Sequence, residues 1–146
     1  MNFEPFDTEL IAARVRAQAP GLRLVGSAAD YASVKSLREF APPAAYVMLA
    51  RESTAGGGTA RAARVQPAVA EFGVALAVRN YREQGGAQAA AELRALLGQV
   101  RAALIGWEPP VAGAAACQWT GGAVMDYDDA TVLWVDVYSC VHVLQR

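Results

Sequence analysis

The sequence predicts an α+β fold, a mostly antiparallel sheet of about four to five strands with two main helices packed on one face. Three observations carry that expectation. At 146 residues the chain is long enough for one domain with a real core, and no linker or internal repeat divides it, so residues 1–146 are read as a single domain. Helical and strand periodicities follow one another as helix, strand, possible short helix, two strands, long helix, two strands. Only two of those segments are long amphipathic helices, which suits helices gathered on one side of a sheet.

The first helix is expected from about Asp7 to Ala19. Asp7 can accept the unpaired amides of the first turn, Leu10, Ile11 and Val15 share a face, and Pro20-Gly21 stops the run. Leu22–Val25 is a short strand ended by Gly26, and Asp30–Leu37 is a short-helix candidate closed by Pro42-Pro43. Ala44–Arg51 reads as a buried strand. Glu52–Ala63 contains Gly56-Gly57-Gly58 and no apolar anchor larger than alanine, so it reads as a mobile loop. Val65–Tyr81 is the longest strand candidate. Pro67 marks its start as irregular or edge-like, and Phe72, Val74, Leu76 and Val78 alternate cleanly after it.

Gly85-Gly86 opens the strongest helix, Ala87 to about Ile105, where Leu93, Leu96, Leu97, Val100 and Leu104 form one apolar stripe. Gly106 terminates it. The last two strands, about Ala116–Tyr127 and Thr131–Leu144, are joined by the acidic turn Asp128-Asp129-Ala130, with a bulge expected at Gly121-Gly122. In the final strand Leu133, Val135, Val137, Val141 and Val143 face one side. Trp134, Asp136, Tyr138, Cys140 and His142 face the other.

Composition narrows the function classes. A net charge of -1 argues against a binder driven by phosphate neutralisation. No run reaches the roughly 18 apolar residues of a membrane span, and the N-terminus lacks a signal-peptide pattern, so a cytoplasmic, non-secreted protein is expected. Cys117 and Cys140 have no CxxC spacing and read as small buried hydrophobes. The charge is unevenly placed. Residues 1–101 hold 12 basic and 9 acidic side chains, whereas residues 102–145 hold five acids and neither Lys nor Arg. Such asymmetry can bring unlike surfaces together or line a channel, and it is equally compatible with acids that solvate loops.

Catalytic and metal-binding patterns are missing. The single histidine, His142, has no motif partner, and there is no GxSxG, HExxH or Cys-His zinc set. Gly56-Gly57-Gly58 lacks the Lys-Ser/Thr of a phosphate loop. Asp126-Tyr127-Asp128-Asp129 lacks the glycine and distant glutamate of a calcium loop. No enzyme activity, cofactor or metal is therefore expected. The surface taken as informative is the sheet face away from the helices, with Gly73, Ala75 and Ala77 beside Glu71 and Arg79, and Trp134 and Tyr138 beside Asp136. Small residues and aromatics among charges suit a protein interface, so Glu71, Arg79, Trp134, Asp136 and Tyr138 are candidate subunit contacts. A half-solvated face is the plainer alternative.

Five ordered segments resemble the tail terminator proteins of long-tailed bacteriophages and prophages. They are Leu22–Gly26, Pro42–Val47, Glu71–Asn80, Leu104–Pro110 and Gly121–Asp129, and together with their spacing they span roughly residues 7–144. Residues 28–41, with Lys35 and Arg38, are longer than the family pattern. The resemblance implies a virion-tail protein assembled in the bacterial host cytoplasm. It implies a hexameric ring that caps the head-proximal end of the tail tube, ends tube polymerisation and offers a surface for head attachment. The implied partners are further copies of the chain, the tail tube protein and the head–tail connector or neck protein, with DNA passing through the lumen without specific binding and no membrane involved. On that reading Arg51, Arg61 and Arg64 become candidate tube contacts around the glycine-rich loop, and Asp126, Asp128 and Asp129 candidate lumen lining. Another head–tail joining or tail-completion protein is the nearest alternative. A small enzyme or ligand-binding module with a pocket beneath Trp107 or Trp119 is the more distant one.

Overall fold

The computed structural model describes residues 3–56, 65–79 and 87–145. The elements follow the expected order: α1 (Thr8–Gln18), β1 (Leu24–Ser27), α2 (Ala28–Ser33), a 3-10 turn (Leu37–Glu39), β2 (Ala44–Thr54), β3 (Val65–Arg79), α3 (Ala87–Leu104), β4 (Gln118–Tyr127) and β5 (Thr131–Gln145). The strands form one sheet in the order β1-β2-β3-β5-β4. Among the described residues only the β1–β2 pair is parallel; the other pairs are antiparallel. The α+β class and mostly antiparallel sheet hold.

Local chemistry explains most boundaries. Asp7 caps α1 by accepting the Glu9 amide. β1 lies two residues later than expected, because Gly26 continues the strand and Ser27 begins a capping box with Asp30, whose carboxylate accepts the Ser27 amide. That contact holds the Asp30 carboxyl below its usual range. β2 runs on to Thr54, so Glu52, Ser53 and Thr54 belong to the strand, not to a loop; most of the remaining expected loop lies outside the described residues. Pro67 sits in regular pairing opposite Val143. The Val143 amide turns away to Ala112 O, and Pro67 O accepts the Ala55 amide, so the missing N–H interrupts no β3–β5 bond. The bulge expected near Gly121-Gly122 is present as a register shift between Trp119 and Gly121, and a second shift falls between Val124 and Asp126.

The main core lies between the sheet and the α1–α3 layer. Ile11, Val15, Val47, Phe72, Val74, Leu76, Val78, Val100, Leu104 and Tyr138 are all 0–1% exposed. The two main helices share one face, as expected, but the short 28–40 segment does not join them. A second cluster joins Tyr31, Val34, Leu37 and Phe40 to Ala44, Tyr46, Ala75, Ala77 and Leu133, so the 28–40 segment covers part of the opposite face. Ala75 and Ala77, two of the three small residues that promised close approach by a partner, are approached by this segment of the same chain. The rings of Tyr31, Phe40 and Tyr46 lie 5.5–6.0 Å apart over Ala75 and Ala77.

Candidate assembly surfaces

A charge survives in a protein interior only when its hydrogen bonds and countercharge come with it. Asp136 meets that condition under α3. Its side chain is 1% exposed, and Arg101 donates to it twice, Nε to Oδ2 at 2.8 Å and Nη2 to Oδ1 at 2.9 Å. Trp134 Nε1 donates to Oδ1 at 2.8 Å and Tyr138 OH to Oδ2 at 3.1 Å. Burial alone would raise the Asp136 carboxyl. Hydrogen bonds from Arg101, Trp134 and Trp119, with the Arg101 charge, outweigh it and hold the carboxyl below its usual range. Burial and the neighbouring carboxylate push the Tyr138 hydroxyl up. The Arg101 guanidinium also lies 4.8 Å from the Trp119 ring centroid. Gly122 sits opposite Asp136, and a Cβ there would run into the carboxylate and the Trp134 ring. One ion pair therefore ties α3, β4 and β5 together.

This arrangement corrects the candidate interface. Trp134, Asp136 and Tyr138 lie on the helix-covered face, opposite Leu76, Val74 and Phe72, with Asp136 and Tyr138 0% exposed. Glu71 and Arg79 lie on the other face, eight residues apart on β3, about 26 Å at strand rise. The five residues form no common surface. Sequence reasoning missed Arg101, whose one visible signal is its position four residues after Leu97, at the margin of the apolar stripe.

The remaining polar investments are also internal. Glu52 accepts the Phe6 amide at 2.9 Å and lies 3.0 Å from His142 Nε2, while Phe6 packs edge-on to the His142 ring. This clasp holds the N-terminal segment to the end of the sheet. Cys117 and Cys140 are both buried, and their mutual hydrogen bond and burial push the Cys117 thiol up. The tryptophans considered as pocket roofs each carry one of the chain's own arginines: Arg14 at 5.3 Å over Trp107, Arg101 over Trp119. Among the described residues, no group of three or more His, Cys, Asp or Glu is placed to hold a metal ion. No described helix is long and apolar enough to cross a membrane.

Among the described residues the exposed large apolar side chains gather most on the β4 edge; Phe3, Leu24, Val65, Ile105 and Val141 are exposed elsewhere. Val124 is 49%, Met125 62% and Tyr127 54% exposed, and Trp119 44%. Asp126 and Asp129 are exposed beside them; Asp128 is half-buried and shapes the turn, its Oδ1 accepting the Ala130 and Thr131 amides at 2.7 Å. Arg51 is exposed on β2, 3.5 Å from Glu71, whereas Arg61 and Arg64 lie outside the described residues.

Among curated proteins, none matches the chain. A chain of the solved virion of a native gene transfer agent particle is similar at 17% identity, with a TM-score of 0.48, over 90% of this chain and 83% of that one. The family model described as phage tail terminator protein matches residues 1–146. The match covers the α1–β1 edge, the clasped sheet and the exposed β4 strand alike, and the chain belongs to the phage tail terminator family.

Proposed function

We propose that the chain acts without turnover, as a hexameric ring that caps the head-proximal end of the tail tube, stops subunit addition and presents a surface to the neck. Family membership supports a structural role in the virion tail. The observation that carries the rest is where the chain spends its chemistry. Asp136, His142, Trp107 and Trp119 are engaged by Arg101, Glu52 and Arg14 inside the fold, while one sheet edge leaves Val124, Met125 and Tyr127 in water. Buried, satisfied polar groups make a rigid scaffold, and exposed apolar residues gathered on one strand make a contact surface. The 126–129 turn is proposed to face the lumen, where its acids repel phosphate and let DNA slide. Arg51, with Arg61 and Arg64, is proposed to meet the tube.

Electron microscopy of tails assembled without the protein tests this function. Overlong tubes are expected. Tails of normal length that fail to join heads would instead identify a joining protein and overturn the terminator reading.

A further inference from the structure

The helix layer stops one strand short of the sheet. α1 lies over β1 and β2, and α3 lies over β3 and reaches β5 through the Arg101–Asp136 pair. A helix is about 10 Å wide and strands are about 4.8 Å apart, so two helices cover four strands. The fifth strand is β4, exposed at nine of its ten positions. Trp119, Val124 and Tyr127 stand on its helix side, opposite Tyr138, Trp134 and Val132.

The other edge of the sheet, β1, lies at the same level. One row of the sheet runs Val25, Ala45, Leu76, Trp134, Val124, and the next runs Leu24, Ala44, Ala77, Leu133, Asp126. Because β1 parallels β2 and the other three steps are antiparallel, β4 runs opposite to β1. A second copy set beside the first, without a vertical shift, therefore brings its β1 antiparallel to β4. Its α1 then enters the uncovered strip beside α3.

The chemistry of the two edges is complementary. At the β1 edge Leu24 is 44% exposed, Arg23 is exposed, and Arg16 reaches over the strand to Val25 O at 3.2 Å. The β4 edge offers the ring of Tyr127, exposed Asp126 and Trp119 with Arg101 over it; residues 102–145 hold no Lys or Arg, while Lys35 and Arg38 of the 28–40 segment line the surface next to Asp126 and the 128–129 turn. Stacking of a guanidinium on such a ring already occurs within the chain, at Trp119.

We propose that β4 is the docking edge for the α1–β1 edge of a second copy. The sheet continues antiparallel from one copy to the next, with Val25 set beside Val124 on the helix side and Leu24 beside Asp126 on the other face, as the two rows require, and with Arg16 and Arg23 set against the β4 edge. Such a contact is heterologous and propagates around a ring. It rests on the ring reading for the number of copies, but the contact itself is separately testable.

The test mixes two variants with one added cysteine each, Val25→Cys and Val124→Cys, which the proposed register sets directly opposite, under a mild oxidant; the native cysteines are buried. A disulfide-linked dimer joining the two variants is expected, at about ten times the yield of a control pairing Val124→Cys with Arg94→Cys on the exposed side of α3, a ratio worth ~1.4 kcal/mol. Equal yields overturn the edge contact. Arg23→Glu gives a second readout: self-association measured by light scattering weakens about tenfold while the melting temperature of the dilute monomer stays the same, and unchanged association also overturns the proposal. Linked copies that form open filaments in micrographs keep the edge contact and overturn the ring; closed rings without the link do the reverse.

Discussion

Asp136 sets the terms at the scale of single residues. Its carboxylate is shut off from water, so Arg101, Trp134 and Tyr138 supply the solvation that it gave up. Removing Arg101 leaves that charge uncompensated. Arg101→Met is expected to cost about 3 kcal/mol, the low end of the range for breaking a buried pair, because the guanidinium is 33% exposed and partly water-screened already. Urea denaturation of the variant checks the figure. The pH dependence follows from the lowered carboxyl. A group whose folded pKa lies below its unfolded value of about 3.9 contributes in full above that value, and its contribution is lost as pH falls through the folded pKa. Stability of the native chain should therefore fall more steeply on acidification below about pH 4 than that of Asp136→Asn, and parallel curves would remove Asp136 as the cause. None of this was legible in the sequence. Alternation in 131–145 separates two apolar faces, and hydropathy favours the Leu133–Val143 set as the core side. The register with β3 puts Trp134, Asp136 and Tyr138 opposite Leu76, Val74 and Phe72, and Arg101, 35 residues away, supplies the partner that lets an aspartate lie on the buried face.

Elements that announce themselves by periodicity fell where the pattern put them. α1, α3 and β3 combine a regular apolar stripe with a stop signal, and their ends shift by at most two residues from expectation. Segments without such a stripe were less legible. The 28–40 stretch has too few apolar residues for a helix face, yet Tyr31, Leu37 and Phe40 find one another once Pro42-Pro43 leads the chain into β2. Its role as a cover depends on Ala75 and Ala77, two small residues on a distant strand, and no local pattern encodes that. Phe40 is the most enclosed of the covering side chains, at 9% exposure. Phe40→Ala should destabilise the domain by about 3 kcal/mol, the lower end for loss of a buried phenylalanine. A calorimetric melt reads this directly. A loss below about 1 kcal/mol would mean that the segment rests on the sheet without sharing its core.

At the scale of the whole molecule, the uneven charge seen in the sequence acquires a geometry. Arg16 and Arg23 stand at one end of the strand order, and the stretch without Lys or Arg forms β4, β5 and their turn at the other. A sheet with unlike ends joins head to tail more readily than it joins to itself as a twofold pair, since like edges repel. Exposed charges attract over a distance set by salt: the Debye length is about 10 Å at 0.1 M and about 3 Å at 1 M. If complementary edges draw the copies together, self-association should weaken about tenfold between those two salt concentrations, while the melting temperature of the dilute monomer, whose Arg101–Asp136 pair is shielded, moves little. Sedimentation velocity across a salt series measures the first quantity and thermal melts the second. Association that strengthens with salt would assign the contact to Val25 and Val124 alone, and would leave the arginines of the β1 edge free to meet another part of the tail.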